Sequence, residues 1–373
     1  MAQAQELHTY KEILQQPGVW RKAYDIIYAR KDEIKAFLDS HLTEDTSVIL
    51  AGAGTSAYIG DALEPALFPV RKGVRAVATT DIITDPGLYF DSSSKVLLVS
   101  FARSGNSPES VGAVKTVEKT AGQVAHIFIT CNENGELAKM QGDNILTLLL
   151  PPETNDVSLA MTSSYSTMLL VCSMIFNIDH FEKEKESIDL VSEKVESAIA
   201  RYESSIRDIA NRPFTRAIFL GSGPLKGVAE ESRLKLQELT DGAVMCTFDS
   251  FLGFRHGPKA LVNSDSLLVY LLSSKPEIQR YELDLIRQIK SNNNVKASVI
   301  VCQQKPALEE DCYDLCVEIG LPDSVADYYK CVSYIFVGQL LGLFKSLANG
   351  LCPDAPSVSG NISRVVEGVT LYI

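Results

Sequence analysis

The sequence has little that would indicate a membrane, nucleic-acid-binding or metal-binding protein. Its apolar runs reach no more than about 15 residues, whereas a helix that crosses a bilayer needs about 20. It has no basic cluster, and its formal net charge of −12 makes nucleic acid and anionic membranes poor partners. Its eight cysteines include no Cys-x-x-Cys pair and no nearby histidine that would complete a metal site. We therefore predict buried, reduced thiols and no bound metal.

The composition is that of a soluble protein with room for two domains. The chain has 373 residues, of which 46% are hydrophobic and 22% charged, and two cores of ordinary size fit within that length. The first residues, Met1–Glu6, are polar and have neither the basic nor the apolar segment of a secretory signal. We expect a cytoplasmic protein.

Two segments about 170 residues apart resemble one another, which suggests an internal duplication. Ser47–Ser56 and Arg216–Leu225 are each an apolar run that ends in Gly-x-Gly before a helical pattern. A strand, a glycine turn and a helix in that order place backbone N–H groups where an anion can bind. The duplication thus predicts two similar α/β domains and gives a first indication of the ligand.

Strand and helix patterns alternate along both halves, which is typical of parallel sheets covered by helices on both faces. We predict an N-terminal helical segment at 1–44 and a connecting helix at 181–210, and a C-terminal tail at 349–373. The two α/β domains would occupy 45–180 and 211–348. The predicted strands are 48–51, 75–78, 96–100, 125–130 and 145–150 in the first domain, and 217–220, 243–248, 267–272, 298–302 and 315–319 in the second.

Two polar loops in the first half predict a phosphate cradle. Gly54, Thr55 and Ser56 follow the first predicted strand and open a helix, where hydroxyls and amides face outward. Capping of that helix is the alternative. A second such loop contains Arg103, Ser104, Asn106 and Ser107, and strand ends in an open α/β sheet converge on one crevice. The two loops together favour phosphate binding.

Two further positions near this cradle have alternative roles. Arg103 could supply the positive charge for a phosphate or form an ion pair with Glu109, and both interpretations stay open. Thr162 lies in the hydroxyl-rich segment Ala160–Ser164 that opens a predicted buried helix, and it is a candidate third wall. Capping of that helix is the alternative role for the segment.

The second half carries side chains that can move protons. Lys235 and Glu238 lie three residues apart, on one face of the helix that follows the second glycine turn, with Glu231 as an acidic alternative. An ordinary surface ion pair is the competing interpretation of Lys235 and Glu238. His256 precedes a Gly-Pro pair in an irregular segment, and histidine is the side chain best suited to proton transfer near neutral pH.

These motifs resemble the sugar isomerase (SIS) superfamily, in particular the isomerase half of glucosamine-6-phosphate synthase. Five segments occur in the same order at closely similar spacing: His8–Pro17, Gly52–Ser56, Arg103–Ser107, Leu234–Glu238 and Arg255–Pro258. The sequence is still more similar to the subfamily of tagatose-6-phosphate ketose/aldose isomerases and galactosamine-6-phosphate deaminases. The segments that carry this likeness are Thr79–Asp81, Ser100–Val111, Ala160–Ser164, Gly253–Lys259 and Pro353–Val369.

The resemblance implies a fold, a set of site residues and an assembly. The fold would be two tandem SIS domains, each a flavodoxin-like parallel sheet between helices, with the tail closing the site. Glu238 would move the proton between C1 and C2, Lys235 would stand beside it and His256 would assist ring opening, often from a second subunit. A homodimer or homotetramer is implied, and no cofactor. The phosphate would contact Thr55, Ser56, Arg103, Ser104 and Ser107.

The sequence departs from the synthase in two places and in extent. Ala102 stands where the synthase has a serine, which removes one phosphate hydroxyl. Arg364 falls where the synthase has the lysine that forms a Schiff base, and an always-protonated guanidinium cannot be that nucleophile. The sequence also has no counterpart of the synthase's glutamine-hydrolysing domain, so we expect deamination rather than amination.

The sequence-level hypothesis is a phosphosugar deaminase/isomerase that converts galactosamine 6-phosphate and water to tagatose 6-phosphate and ammonia. The substrate is implied by the resemblance only. Two alternatives remain, which are ketose/aldose isomerisation without loss of nitrogen and a SIS module that senses a sugar phosphate. A phosphorylated hexose or hexosamine is the ligand in all three.

Overall fold

The computed structural model describes residues 2–292, 294–366 and 368–372. The chain divides into two compact units, and each is described by itself. The first-sheet unit comprises Gly18–Asp156, Met161–Ile188 and Ser363–Ile373, and the second-sheet unit comprises Met1–Pro17, Val157–Ala160 and Asp189–Ile362. Each unit thus combines segments that are distant in sequence.

The first sheet has five parallel strands in the order β2-β1-β3-β4-β5. Its central strand, β3, is buried almost throughout, with Val96–Val99 at most 2% exposed, as expected when helices cover both faces. The β1–β3 register pairs Ala51 with Ser100, so the two strands end side by side. The strands are β1 (Ser47–Ala51), β2 (Val74–Ala76), β3 (Lys95–Ala102), β4 (Gln123–Thr130) and β5 (Ile145–Leu149).

The second sheet has the same architecture. Its five parallel strands lie in the order β10-β9-β8-β6-β7, which matches the order of the first sheet strand for strand. The strands are β6 (Arg216–Gly221), β7 (Met245–Asp249), β8 (Ser266–Leu271), β9 (Ala297–Cys302) and β10 (Leu315–Glu318). The predicted α/β fold with two flavodoxin-like parallel sheets is therefore confirmed.

Helices precede, separate and follow the strands. Pro17 lies in the first turn of α3, just after the break between α2 and α3, where a missing N–H removes no helical hydrogen bond. The α-helices are α1 (Ala2–Glu6), α2 (His8–Leu14), α3 (Gln16–Ala29), α4 (Lys31–His41), α5 (Thr55–Leu67), α6 (Thr79–Thr84), α7 (Pro108–Thr120), α8 (Glu136–Lys139), α9 (Ser163–Ile175), α10 (Phe181–Ala210), α11 (Pro224–Leu239), α12 (Phe251–Phe254), α13 (Pro276–Asn292), α14 (Asp327–Lys330) and α15 (Ile335–Ala348).

In the second-sheet unit, α11 packs closely against α15 because two glycines lie in the contact. A Cβ atom on Gly338 would come within 2.5 Å of the Ser232 side chain, and one on Gly342 within 2.9 Å of the Lys235 carbonyl oxygen. Since real Cβ atoms do not come that close to other heavy atoms, the helices can approach this far only where α15 has no side chain. The position of α11 is thereby fixed along the segment that carries the predicted acid–base residues.

One helical stretch among the described residues, Asp327–Ala348, is long and apolar enough to cross a membrane, with a mean hydropathy of 1.5. However, 89% of its most apolar 18-residue part is buried inside the protein, as in a core helix. The eight cysteines are free, as predicted, and five of them are buried. Cys352 in the C-terminal tail is exposed and Cys246 and Cys316 are partly buried, so these three depart from the prediction of buried thiols.

Candidate active site

The two predicted phosphate loops lie at the switch point of the first sheet. The chain leaves β1 toward β2 on one side and returns to β3 on the other, so the loops after β1 and β3 flank the point where the strand order reverses. Open α/β sheets bind ligands at such points, beyond the carboxyl ends of the strands. Thr55 and Ser56 are each 5% exposed and form the first turn of α5.

The loop after β3 is held by its own polar groups. The Ser104 hydroxyl accepts a hydrogen bond from the Asn106 backbone N–H at 3.3 Å. Ser107 caps α7, since its hydroxyl accepts the Ser110 N–H at 3.3 Å and donates to the Ser110 hydroxyl at 2.7 Å. Arg103 is 6% exposed, and its Nη2 donates to the carbonyl oxygen of Arg364 at 2.6 Å. The loop therefore has a defined conformation and a nearly buried guanidinium.

A buried carboxylate organises the third hydroxyl-rich segment. Asp156 is 1% exposed, and its oxygens accept backbone N–H groups from Thr162, Ser163 and Ser164 at 2.8 to 3.2 Å. The same oxygens accept the three hydroxyls, at 3.3 Å from Thr162, 2.5 Å from Ser163 and 2.6 Å from Ser164. Asp156 thus satisfies the free N–H groups at the start of α9, where a negative charge is also favoured by the helix dipole.

In the second-sheet unit, α11 presents a buried lysine between two carboxylates. The Lys235 Nζ lies 2.7 Å from Glu238 Oε2 and 3.2 Å from Glu231 Oε1. The side chains of Lys235 and Glu231 are 0% exposed, while that of Glu238 is 21% exposed. The cluster is therefore not the ordinary surface ion pair that the sequence left as an alternative, and Glu238 is the carboxylate that solvent reaches.

The two carboxylates decide the charge of this lysine. Burial by itself would lower the pKa of Lys235, but the negative charges of Glu231 and Glu238 outweigh burial and raise that pKa above its ordinary value. Lys235 is consequently a fixed positive charge at neutral pH and a hydrogen-bond donor to Glu238. A carboxylate held in this way keeps its orientation.

His256 lies in an exposed turn after α12. The turn is fixed on both sides, because Arg255 Nη1 and Lys259 Nζ donate to Gln288 Oε1 at 2.9 and 3.1 Å. Gly257 has a φ of 120°, which favours glycine at this position. Among the described residues, no hydrogen bond links the His256 side chain to Glu231, Lys235 or Glu238 of α11.

Comparison with known proteins assigns the chain to a family. The family model described as SIS domain matches residues 41–178. D-galactosamine-6-phosphate deaminase AgaS of Shewanella sp. is 38% identical over 371 residues, which cover 98% of this chain and 91% of that protein. AgaS of Escherichia coli is 36% identical over 371 residues, with 98% of this chain and 95% of that protein covered. This chain belongs to the SIS family.

The fold is also similar to that of a solved structure. The crystal structure of tagatose-6-phosphate ketose/aldose isomerase from Escherichia coli superposes with a TM-score of 0.91 at 33% identity, over 99% of this chain and 97% of that one. The SIS model begins before β1 and ends after α9, so its match takes in the whole first sheet with all three polar segments.

Most of the groups in these clusters are predicted from the sequence, but Asp156, which organises the third hydroxyl-rich segment, is not. Only the fold brings its carboxylate to the start of α9. An acidic residue shortly before three consecutive hydroxyl residues is the signal that could have identified it. Arg364 lies in the first-sheet unit, where its side chain bonds to protein groups of the 155–156 loop. Its predicted contact with substrate stays a prediction.

The described residues contain no group of three or more His, Cys, Asp and Glu side chains that could hold a metal ion.

Proposed function

We propose that this SIS protein is a phosphosugar deaminase that converts galactosamine 6-phosphate and water to tagatose 6-phosphate and ammonia. The observation that carries the proposal is the buried Lys235 beside the partly exposed Glu238 carboxylate, which suits proton transfer at a carbon next to a carbonyl. The name of the AgaS relatives supports the substrate and the loss of nitrogen.

The phosphate would be held by the loops at the first switch point. We assign it to Gly54, Thr55 and Ser56 after β1 and to Arg103 and Ser104 after β3. A helix N-terminus, hydroxyls and one nearly buried guanidinium are suitable donors for a phosphate dianion. Ser107 and Thr162 would contribute through the loop geometry that their hydrogen bonds maintain.

Glu238 would act as the single base on the open-chain sugar. It takes the proton from C2, and the electron pair of that C–H bond forms the C1–C2 double bond of an enolamine as the aldehyde oxygen at C1 is protonated. Glu238 then returns a proton to C1, which gives a ketimine at C2. Water adds to this ketimine and ammonia leaves. The hydrogen bond from Lys235 would hold the Glu238 carboxylate in place before the first transfer.

Further assignments rest on the same resemblance. We assign ring opening to His256, because an exposed imidazole in a fixed turn can exchange protons with the sugar oxygen. The chemistry needs no metal or organic cofactor. We also propose a cytoplasmic homodimer or homotetramer, a duplicated origin for the two halves, and SIS domain boundaries at 45–180 and 211–348.

A second candidate function is interconversion of an aldose and a ketose phosphate without nitrogen loss. It is favoured by the structural similarity to a protein named tagatose-6-phosphate ketose/aldose isomerase. The same base and phosphate loops would serve, since only the group on C2 differs.

To test the proposal, the purified protein is incubated in parallel with galactosamine 6-phosphate, glucosamine 6-phosphate or galactose 6-phosphate. Ammonia and ketohexose phosphate are measured separately. We expect equal amounts of ammonia and ketose from galactosamine 6-phosphate, at a higher kcat/KM than from the gluco epimer. Ketose from galactose 6-phosphate with no ammonia from either amino sugar would establish the second candidate instead.

Two glycines of the first loop offer a matched pair of variants. A Cβ on Gly52 would lie 2.4 Å from the Ser56 carbonyl carbon, so Gly52→Ala must displace the first turn of α5. A Cβ on Gly54 meets nothing within 4 Å, and its φ of 55° adds backbone strain alone, about 1 to 3 kcal/mol. We expect the dissociation constant of inorganic phosphate to be about 10-fold higher for Gly52→Ala than for Gly54→Ala, since Gly52→Ala moves several donors at once.

Titration calorimetry with inorganic phosphate and urea unfolding measure the two effects separately. Equal phosphate affinities for Gly52→Ala and the unmodified protein would contradict the assignment of this loop to the phosphate.

A further inference from the structure

The two ends of residue 364 bind different partners within the first-sheet unit. The Arg364 guanidinium donates to the Asp156 carbonyl oxygen, from Nε at 3.0 Å and from Nη2 at 2.6 Å. Its Nη2 also lies 3.1 Å from Asn155 Oδ1. The carbonyl oxygen of the same residue accepts the Arg103 guanidinium at 2.6 Å. One residue of the C-terminal tail therefore joins the 155–156 loop to the loop after β3.

The attachment point of this residue is rigid. The Asp156 side chain is 1% exposed and accepts backbone and side-chain hydrogen bonds from three consecutive residues at the start of α9. Asp156 is thus tied to the start of α9, and its carbonyl oxygen is the one that receives two of the Arg364 donors. The tail backbone at 364 is thus fastened to an ordered part of the unit.

The carbonyl of residue 364 constrains Arg103. A guanidinium is planar and presents its donors in a fixed fork, so an acceptor on one edge sets the plane of the whole group. Arg103 is 6% exposed and has little space to choose another orientation. The 2.6 Å bond to the carbonyl oxygen of residue 364 therefore constrains the direction in which the guanidinium faces.

We infer that Arg364 is a positioning residue, which fastens the tail to the 155–156 loop so that its own carbonyl oxygen orients Arg103 toward the substrate phosphate. The inference rests on the proposed function in that it takes Arg103 as a phosphate ligand. It differs from a direct contact between Arg364 and the sugar carbons, because the three hydrogen bonds described for the Arg364 guanidinium are all made to protein oxygens.

The first test is Arg364→Ala, with Arg364→Lys as the conservative variant. We expect Arg364→Ala to raise both KM for the phosphosugar and the dissociation constant of inorganic phosphate about 10-fold, because the backbone carbonyl that orients Arg103 is then no longer fastened to the 155–156 loop. We expect kcat to change less than about twofold, because the acid–base residues are untouched. Lysine can make one of the bonds to the Asp156 carbonyl but not both at once. KM and the phosphate dissociation constant of Arg364→Lys should therefore lie between those of Arg364→Ala and those of the unmodified protein. Asn155→Ala, which removes one acceptor, should show a smaller rise in the same direction.

The second test is a double-mutant cycle with Arg103→Ala. If Arg364 acts through Arg103, adding Arg364→Ala to Arg103→Ala should change phosphate affinity by less than about twofold. Ser363→Ala is the control, since it removes the neighbouring tail hydrogen bond to the Val365 carbonyl without touching Arg103. It should leave phosphate affinity unchanged.

Two results would overturn the inference: a fall in kcat at unchanged phosphate affinity, or full additivity with Arg103→Ala. Phosphate binding can be measured without turnover. If the protein binds phosphate but releases no ammonia, the proposed function is contradicted, and the phosphate affinities of the variants still test this role of Arg364.

Discussion

Replacing Glu238 with Gln is expected to lower kcat for the phosphosugar by about 10³-fold, because the amide cannot accept the C2 proton. The substitution keeps the size of the side chain and an oxygen acceptor for Lys235, which lies 2.7 Å from the carboxylate. We therefore expect KM and the unfolding midpoint to change little. Steady-state kinetics of ammonia release, together with urea unfolding, measure the three quantities.

Glu230→Gln provides the matched control, since it makes the same chemical change on the same helix. Glu230 pairs with Arg233 at 3.8 Å and does not belong to the Lys235 cluster. It should retain nearly full activity. Substantial ammonia release by Glu238→Gln would exclude Glu238 as the base and direct attention to another acid–base group.

The largest effect on stability is expected from Lys235→Met, about 3 to 5 kcal/mol of unfolding free energy. The lysine and the Glu231 carboxylate are 0% exposed and 3.2 Å apart, so removing the cation leaves a buried charge with its main counter-charge gone. Glu238, at 21% exposure, can still be solvated in part. Urea unfolding at neutral pH measures the loss.

Two further variants test the cause of that loss. Lys226→Met makes the same change at an exposed position of α11, where the ammonium lies 5.9 Å from the Phe248 ring centre, and should cost less than about 1 kcal/mol. Adding Glu231→Gln to Lys235→Met removes the buried charge and should recover at least half of the lost stability. Absence of any recovery would mean that packing, not charge, accounts for the effect.

The sheets could be predicted from sequence because their signal is local. Each predicted strand overlaps a strand of the structure, since parallel strands buried on both faces are short apolar runs bounded by glycine and polar turns. The loops after β1 and β3 could be predicted together for the same reason, because the rule that strand ends converge on one crevice needs only the strand order.

The organisation of the clusters could not be predicted, because it depends on residues far apart in the chain. The bonds that join Arg364 to Asp156 and Arg103 connect residues separated by 208 and 261 positions. The burial of Lys235 depends on the approach of α15, which follows more than 90 residues later. Helical spacing puts Lys235 beside Glu231 and Glu238, but it does not say whether solvent reaches them.

The glycine contact between α11 and α15 has a consequence for engineering. Exchanging helical glycine for alanine is a common way to make a protein more heat-resistant, because the freer unfolded chain becomes less favoured. At Gly338 and Gly342 the added methyl group would push apart the two helices whose contact holds Lys235 and Glu238 in place. At these two sites, a gain in thermal tolerance and a working proton-transfer group are opposing design goals.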